Sequence, residues 1–256
     1  MLDDLRVVDL STEIAGPYCT KLLADAGADV VKVEAADGDP LRHWRSGALF
    51  KFLNTSKRSV VGDVAADEVR ALIAAADIVI DDSGAAPAAA ALEAPGLVVV
   101  SISPFGLSGP WAGRAATEFV LQAWCGSTGS RGTPDRPPVA AGGRLGEWIG
   151  GAYAAVAAVA AWKQARRTGR GEHVDVSLLE CMSVTMNTFT SVFASFMGRR
   201  AFRGPARTIE IPSVEPTTDG YVGFCTITAQ QFQDFLVLIE RPDLIDDRDL
   251  ASAIGR

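Results

Sequence analysis

Short apolar runs rich in β-branched residues recur along the chain, separated by longer amphipathic or alanine-rich segments. These runs predict β-strands at Val7–Leu10, Val30–Val33, Ile78–Ile80, Leu97–Ile102 and Val174–Val176. Strands that alternate with helices are typical of a parallel sheet covered by helices on both faces. We therefore expect an α/β fold with a mostly parallel, Rossmann-like sheet.

The first unit of this pattern lies between Leu5 and Glu34. Its first apolar run ends at Ser11, an Ala-Gly-Pro turn at Ala15–Pro17 opens an amphipathic helix, and that helix closes at Gly27 before the second run. This is the pattern of a βαβ unit. The unit lacks the G-x-G-x-x-G sequence that seats a dinucleotide on a helix N-terminus, which disfavours a plain nucleotide-binding module.

The second half of the chain is less regular. A stretch rich in alanine and glycine, from Glu147 to about Arg167, predicts a long helix buried in the core. Further on, the character changes to recurring prolines and turn residues, with one more strand predicted at Tyr221–Thr226. We therefore expect a large Rossmann-like domain at 1–203 and the start of a small α+β domain at 204–256, within which the chain stops.

Composition and charge narrow the functional classes. The chain has 256 residues, of which 48% are hydrophobic, so a sizeable core is expected. Its formal net charge of −7 argues against general binding to nucleic acids or to anionic membranes. Asp3 and Asp4 stand where a signal peptide would carry positive charge, and the small-apolar run Gly150–Trp162 is too short to span a bilayer. The sequence therefore predicts a cytoplasmic protein.

Metal chemistry and histidine-based chemistry are disfavoured as well. The four cysteines are far apart, lack metal-ligand spacing, and are expected to be free thiols in a reducing compartment. Two histidines occur, His43 and His173, which makes zinc sites and serine–histidine–aspartate triads poor candidates. No metal site is therefore predicted, and carboxylates remain as the candidates for catalysis.

Two glutamates stand at predicted helix starts. Glu147 follows a glycine-rich stretch at the start of the long helix, where free N–H groups and the helix dipole favour an anion. It is either a helix cap or a carboxylate nucleophile that the neighbouring glycines allow a ligand to approach. Glu118 begins a short helix and has the same two interpretations. Lys57 and Arg58 either pair with phosphates or end a solvated loop.

Several blocks of the sequence are weak signals alone and specific when taken together. They are LRVVDLSTEIAGPY, LLADAGADVVKVE, NTSKRSVVGD, SISPFGLSGP, GGAYAAVAAVAAW, RRTGRGEHVDVSLLE and PTTDGYV. In this order and spacing, the chain resembles the class III CoA-transferases of the CaiB/BaiF type, which include formyl-CoA transferase and the α-methylacyl-CoA racemases. The resemblance implies a Rossmann-like large domain, a small second domain, and dimers whose subunits interlock like chain links. It also implies acyl-CoA as a substrate, with no tightly bound cofactor.

The resemblance also implies roles for individual positions. Transferases of the family use an aspartate at the start of the long helix to attack the thioester, which gives a mixed anhydride and then an enzyme–CoA thioester. Glu147 matches that aspartate, and Glu118 matches an acidic position that lines the active site. The family segment Asn-Phe-Arg-Pro-Gly, which holds CoA, reads Asp-Ser-Gly-Ala-Ala at residues 82–86 here. The positions implied to contact acyl-CoA are Ala15, Lys57, Arg58, Asp82 and Ser83.

Two functions remain open at this point. The first is an acyl-CoA:carboxylate CoA-transferase, with Glu147 as nucleophile and Glu118 assisting, that acts on acyl-CoA and a small carboxylic acid as a homodimer or beside a homologous half. The alternative is a catalytically weakened acyl-CoA-binding or scaffolding half of a fused or paired CoA-transferase, which the changed CoA segment favours. Racemase activity is disfavoured, because Thr117 stands where the racemases of the family carry a histidine.

Overall fold

The structure, a computed structural model, describes residues 1–83, 94–131, 136–186, 213–226 and 228–250. The chain divides into two compact units, Met1–Arg203 and Gly204–Arg256. The first unit carries the parallel sheet and the helices that position the candidate site, and the second contains a hairpin and a helix.

A sheet of six parallel strands forms the centre of the first unit. The strands are β1 (Arg6–Asp9), β2 (Asp29–Glu34), β3 (Arg58–Val61), β4 (Ile78–Asp81), β5 (Val98–Ser103) and β6 (His173–Ser177). Their order across the sheet is β3-β2-β1-β4-β5-β6, so the direction of winding reverses between β1 and β4. Open α/β sheets bind ligands beyond the carboxyl ends of their strands at such a reversal. The Rossmann-like parallel sheet predicted from the sequence is confirmed.

Strand β3 begins at Arg58, where the sequence pattern predicts only the end of an irregular polar segment. It lies at the edge of the sheet beside β2, and its residues Arg58, Ser59 and Val61 are exposed. An edge strand without a buried face carries little hydrophobic signal, so its pairing with β2 is evident only in three dimensions.

Helices cover both faces of the sheet. They are α1 (Ala15–Asp25), α2 (Pro40–His43), α3 (Ala48–Leu53), α4 (Asp67–Ala74), α5 (Glu118–Trp124), α6 (Leu145–Thr168) and α7 (Leu178–Met186), with a short 3₁₀ helix at Ser127–Ser130. Helices α1, α6 and α7 pack against one face of the sheet in a common hydrophobic core. Helix α4 covers the other face of the sheet through Val69 and Ile73. The predicted Ala-Gly-Pro turn is instead the first turn of α1, where a proline removes no helical hydrogen bond. In the described part of the chain, no helix has the length and apolar character needed to cross a membrane.

Small residues let α6 approach both of its neighbours closely. A Cβ on Gly151 would lie 2.5 Å from the carbonyl oxygen of Ala15 in α1, and one on Gly150 would lie 2.2 Å from Cδ2 of Leu178 in α7. Ala154, one turn further along, is completely buried. The alanine- and glycine-rich helix predicted to lie in the core therefore does so, and its first turns are fixed against α1 and α7.

The second unit contains a two-stranded antiparallel sheet and a helix. Its elements are β7 (Ser213–Pro216), β8 (Tyr221–Phe224), α8 (Ala229–Leu238) and a 3₁₀ helix at Pro242–Leu244. Strand β8 covers the first part of the strand predicted at Tyr221–Thr226. A capping box formed by Thr228 and Gln231 starts α8 by satisfying two backbone N–H groups at the helix end.

Candidate active site

Glu147 lies in the first turn of α6, close to the carboxyl ends of the central strands. The helix is preceded by Arg144, whose backbone is left-handed with φ at 55°, and the N–H of Glu147 donates to the carbonyl of Arg144 over 3.1 Å. The side chain of Glu147 is 15% exposed. A carboxylate here faces the free N–H groups and the positive end of the helix dipole, which is the setting that the sequence predicted.

The guanidinium of Arg144 connects two carboxylates from different parts of the chain. Its Nε donates to Oε1 of Glu147 over 2.7 Å, its Nη2 lies 2.5 Å from the same oxygen, and its Nη1 donates to Oε2 of Glu13 over 2.5 Å. Glu13 lies in the loop between β1 and α1, and its φ of 59° is also left-handed. The ion pairs therefore join the β1–α1 loop to the start of α6 at the position of Glu147.

The environment of Glu147 makes its charged form less favourable than in water. Burial raises the pKa of the Glu147 carboxyl above its usual range. The guanidinium of Arg144 opposes this shift, while the carboxylates of Glu13 and Glu118 add to it, and the net pKa shift is upward. A carboxylate with a raised pKa is a stronger base and a better nucleophile than an ordinary surface glutamate, which makes Glu147 a functional candidate.

Glu118, the second predicted acidic residue, contacts the same helix end. Its Oε1 accepts hydrogen bonds from the backbone N–H of Gly146 over 2.9 Å and from Nε2 of Gln122 over 2.7 Å. Its Oε2 is buried and has no hydrogen-bond partner among the described residues. The side chain of Gln122 also accepts a hydrogen bond from the N–H of Ala141 over 2.8 Å and donates one to the carbonyl of Ala141 over 2.9 Å. The structure therefore brings Glu118 and Glu147 together at the N-terminus of α6.

The predicted basic pair, Lys57 and Arg58, lies away from these glutamates and is engaged with protein groups. The Lys57 side chain is 1% exposed, and its Nζ donates to Asp9, Thr20, Asn54 and the carbonyl of Pro17 over 2.7 to 3.1 Å. Burial of the Asp9 carboxyl would raise its pKa, but the ammonium groups of Lys32 and Lys57 hold that pKa well below its usual range. Lys57 therefore acts in this structure as a buried link between the α3–β3 loop, β1 and α1.

Arg58 is exposed and pairs with the neighbouring strand. Its Nε and Nη2 donate to Asp29 over distances of 3.0 and 2.5 Å. Because Lys57 and Arg58 are adjacent in the chain and have different partners, they do not present a joint basic surface in this structure.

Asp82 and Ser83 follow β4, at the carboxyl edge of the sheet where the winding reverses. Oδ2 of Asp82 accepts from the backbone N–H of Thr12 over 2.8 Å, and burial raises the pKa of Asp82 to about 7. Ser83 donates from its hydroxyl and its N–H to Oδ1 of Asp81 over 2.6 and 3.1 Å. The rest of the segment matched to the family's CoA-binding motif, residues 84–86, lies outside the described residues.

Ala15, the last of the predicted contact positions, is the first residue of α1. Its side chain is buried, and its carbonyl faces Gly151 of α6. It follows Glu13 by two positions, so it borders the ion pairs around Arg144. Ala15 therefore contributes to the site by letting the first turns of α1 and α6 approach each other closely.

A cavity of about 260 Å³ opens at the carboxyl ends of β1, β2 and β3. Lys32 is the cation among its lining residues; its Nζ donates to the carbonyl of Ser11 over 2.6 Å and lies 3.0 Å from Asp39. Glu34 is held in turn by Nε and Nη2 of Arg42 over 2.5 and 2.7 Å. The charged groups of Lys32, Asp39 and Glu34 in this cavity are therefore already paired with protein partners. The complete lining is Leu10, Thr12, Lys32, Val33, Glu34, Ala35, Gly38, Asp39, Gly62, Asp63 and Val64.

Several charged residues of these clusters were not predicted from the sequence, among them Glu13, Arg144 and Lys32. Glu13 and Arg144 are 131 positions apart, so nothing local indicates that they meet. Lys32 was detectable in principle, because a lysine within the β-branched run of a buried parallel strand requires a buried partner.

Comparison with known proteins supports a single family. A model of CoA-transferase family III matches residues 2–256. The succinate–glutarate CoA-transferase of Agrobacterium fabrum is 32% identical over 282 residues, covering 100% of this chain and 70% of that protein. The succinyl-CoA–D-citramalate CoA-transferase of Chloroflexus aurantiacus is 31% identical over 239 residues, covering 86% of this chain and 60% of that protein.

A solved structure agrees with these relatives. The crystal structure of a CaiB/BaiF family protein from Brucella suis matches 100% of this chain and 74% of that chain, with a TM-score of 0.81 and 31% identity. The chain thus spans between 60% and 74% of the lengths of these three proteins. The predicted resemblance is confirmed, and its named relatives are CoA-transferases. Because the family model matches nearly every residue, the chain belongs to CoA-transferase family III.

Proposed function

We propose that this protein transfers CoA from an acyl-CoA to a carboxylic acid, with the carboxylate of Glu147 as the nucleophile. The observation that carries the proposal is the raised pKa of a largely buried glutamate at the N-terminus of α6. In the aligned relatives the reaction is named as CoA transfer between carboxylic acids. Such a reaction needs a group that holds the acyl unit while CoA changes partner, and a carboxylate can do this covalently.

The proposed reaction proceeds through two kinds of covalent intermediate. A Glu147 oxygen attacks the thioester carbonyl, forming a mixed anhydride and releasing the CoA thiolate. The thiolate then attacks the glutamyl carbonyl of the anhydride, which releases the donor acid as its carboxylate and leaves a glutamyl–CoA thioester. The acceptor carboxylate attacks that thioester, forming a second anhydride, and the released thiolate attacks its acyl carbonyl. The product acyl-CoA leaves and the Glu147 carboxylate is restored, so atoms and charge balance over the cycle.

In this proposal Glu118 is a positioning residue. It holds the N–H of Gly146 and thereby the first turn of α6, one residue before Glu147. Its negative charge also raises the pKa of Glu147. Glu118 therefore contributes to both the placement and the basicity of the nucleophile.

We propose dicarboxylic acids, with succinyl-CoA as a donor, as the substrate class. The two relatives described above are named for succinate, glutarate and D-citramalate, each of which carries two carboxyl groups. A cationic group beside Glu147 gives this chain a means of binding the second carboxylate, since guanidinium–carboxylate pairs are strong and directional.

For the CoA moiety we propose the carboxyl edge of the sheet, including Ala15, Asp82 and Ser83, as the entry to the site. This edge is where ligands bind in open α/β sheets. Lys57 and Arg58 remain proposed contacts, and each would have to exchange a protein partner for a CoA phosphate.

The cavity at the carboxyl ends of β1, β2 and β3 also favours a second candidate function, the weakened acyl-CoA-binding half. Its one lining cation, Lys32, is paired with Asp39 and is 1% exposed, which gives a phosphate little to bind. In that case the chain would bind acyl groups without turning them over. The two functions differ in whether Glu147 becomes acylated.

The deciding experiment is intact-protein mass spectrometry after mixing with succinyl-CoA, with borohydride or hydroxylamine trapping and peptide mapping. The proposal expects a trapped adduct on the Glu147 peptide of the wild type and none in Glu147→Gln. Glu68→Gln, a change at an exposed position of α4, is the matched control and should be labelled like the wild type. A folded wild-type protein that binds succinyl-CoA but gives no adduct would favour the second candidate.

As partners we propose a second copy of this chain or a homologous half, in the cytoplasm. Apolar side chains on α5 and α6 are exposed, including Phe119 at 50%, Trp124 at 58% and Val156 at 73%. Exposed apolar surface of this kind is typical of protein interfaces. Sedimentation of the purified protein at increasing concentration tests the pairing, and a monomer at all concentrations would contradict it.

A further inference from the structure

Arg144 is placed to do more than stabilise Glu147. Its side chain is 43% exposed although it contacts a largely buried carboxylate, so it borders both solvent and the proposed nucleophile. The ion pair of Arg144 with Glu13 joins side chains that are 43% and 41% exposed, and pairs between exposed charges add little to folding stability. The reason for a guanidinium at this position is therefore better sought in ligand binding than in the free energy of folding.

The pairing with Glu147 leaves part of the guanidinium's capacity unused. Nε donates to Oε1 of Glu147, and Nη2 lies against the same oxygen in an ion pair, so neither nitrogen contacts Oε2. A guanidinium edge binds a carboxylate best when each nitrogen meets a different oxygen, as in the bidentate arrangement. An incoming carboxylate that adopts that arrangement would therefore compete well for this edge of Arg144.

The other side of the guanidinium is anchored independently. Nη1 donates to Glu13 over 2.5 Å, so Arg144 can give up Glu147 without losing all protein contacts. Both Glu13 and Arg144 have left-handed backbones, which non-glycine residues rarely adopt. Such conformations persist where surrounding structure enforces them and are found often at ligand-binding positions.

The current pairing also conflicts with nucleophilic attack. An oxygen of Glu147 that accepts a charged hydrogen bond from Nε and forms an ion pair with Nη2 is a weaker nucleophile than a free one, since these contacts stabilise its charge. Removing Arg144 from Glu147 would leave that carboxylate facing Glu13 and Glu118, both negative. A group that draws Arg144 away therefore activates the nucleophile.

We propose that Arg144 binds the distal carboxylate of a dicarboxylic acyl group and, by exchanging Glu147 for that carboxylate, makes Glu147 reactive only toward such substrates. This inference rests on the proposed function, because it assigns the substrate specificity of the same site. The reacting carbonyl must contact Glu147, and a carboxylate two methylene groups away then lies within reach of a guanidinium hydrogen-bonded to Glu147. A monocarboxylic acyl group has no charge to offer and leaves Arg144 on Glu147.

The test compares succinyl-CoA with butyryl-CoA, which has a methyl group in place of the distal carboxylate. The wild type is expected to have the higher kcat/KM for succinyl-CoA, by roughly 10- to 100-fold, the range for a hydrogen bond to a charged group. In Arg144→Gln this preference should disappear, through a fall with succinyl-CoA and an unchanged or higher value with butyryl-CoA. Arg144→Lys keeps the charge without the two-nitrogen edge and should retain part of the preference.

Arg166→Gln is the control, because Arg166 is exposed and pairs with Asp4 at the other end of α6. It should keep the wild-type preference. An equal fall with both donors in a folded Arg144→Gln protein would overturn the inference, since Arg144 would then only position Glu147. So would equal use of both donors by the wild type. Failure of the proposed function is recognised separately, as absence of any acyl adduct on Glu147 with either donor.

Discussion

The ammonium group of Lys57 lies 3.1 Å from the carboxylate of Asp9, and the two side chains are 1% and 0% exposed. Removing one member of a buried ion pair leaves the other charge without compensation, at a cost of about 3–5 kcal/mol. We therefore expect Lys57→Met to lower the free energy of unfolding by that amount, measured in urea. Lys51→Met, at an exposed position of α3, should change it little. A loss below about 1 kcal/mol, together with a raised KM for acyl-CoA, would instead support the phosphate-binding role predicted from sequence.

The raised pKa of Glu147 predicts that activity is lost on acidification at a higher pH than an ordinary glutamate would give. The proposed nucleophile attacks as a carboxylate, so we expect kcat/KM for succinyl-CoA to fall as the pH drops through the pKa of Glu147 in the free enzyme. Because that pKa lies above the ordinary value of 4.5, the pH at which kcat/KM falls on the acid side should also lie above 4.5. In Arg144→Gln this pH should be higher still, since the guanidinium opposes the rise in the pKa of Glu147. A fall at or below pH 4.5 in the wild type would show that burial does not raise the pKa of Glu147.

The length of the Glu147 side chain should also matter. Glu147→Asp withdraws the carboxylate by one methylene group from the position set by α6, and a misplacement of about 1 Å can cost on the order of 100-fold in rate. We expect that loss in kcat, with binding of succinyl-CoA retained. Glu147→Gln should abolish turnover, and pre-steady-state kinetics should show no release of CoA. Full activity in Glu147→Gln would exclude Glu147 as the nucleophile, whereas full activity in Glu147→Asp would contradict only the importance of the side-chain length.

Asp82 predicts a pH-dependent contribution to stability. Burial, aided by the Asp9 and Asp81 carboxylates and opposed by the N–H of Thr12 and by Lys32, raises its pKa from 3.8 to about 7. Between these values the folded protein keeps a proton that the unfolded chain has lost, so the stabilisation from Asp82 declines as pH rises through this window.

In Asp82→Asn the amide side chain cannot ionise, but it can still accept a hydrogen bond from the N–H of Thr12. Its Tm should therefore exceed that of the wild type at about pH 8, and the difference should vanish towards about pH 4. Thermal unfolding across this range is the measurement. A constant difference in Tm would show that the Asp82 carboxyl does not titrate with a raised pKa.

The contact between α6 and α1 gives a further stability prediction. Gly151→Ala would place a methyl group 2.5 Å from the carbonyl oxygen of Ala15, and overpacking of this kind costs about 1–3 kcal/mol. The Tm should fall, and kcat should fall with it because α6 carries Glu147. Gly129→Ala, where nothing lies within 4 Å of the added carbon, is the matched control. Equal Tm values for the two variants would contradict the packing described for α6.

The sequence predicts those parts of the fold that bury a regular apolar pattern. β4 and β5 are buried along nearly their whole lengths, and their runs of valine and isoleucine are evident without coordinates. The edge strand β3 has no such pattern, and its exposed residues could equally form a loop. The distinction between the two is made by hydrogen bonds to β2, which a single-chain pattern does not encode.

The candidate site likewise has one part that local sequence predicts and another that depends on the three-dimensional fold. The helix start at Glu147 and the acidic position Glu118 follow from local sequence, because helix ends have local signals. The meeting of Glu13 with Arg144 depends on how the β1–α1 loop and α6 are placed by the sheet, and on two left-handed residues that are not glycines. The sequence did not show that Lys57 is engaged within the protein, because three of its four acceptors, Asp9, Pro17 and Thr20, lie 37 to 48 residues away in the chain.

The adjacent glycines of α6, Gly150 and Gly151, contact two different helices, and this has a consequence for how the enzyme can change. A helix that meets the backbone of α1 on one side and the Leu178 side chain of α7 on the other can neither turn about its axis nor shift along it without a collision. The height and direction of Glu147 are thus set one turn away, by atoms that take no part in chemistry. Loop residues around the candidate site can then be replaced over evolution, while the carboxylate of Glu147, the proposed nucleophile, keeps its position.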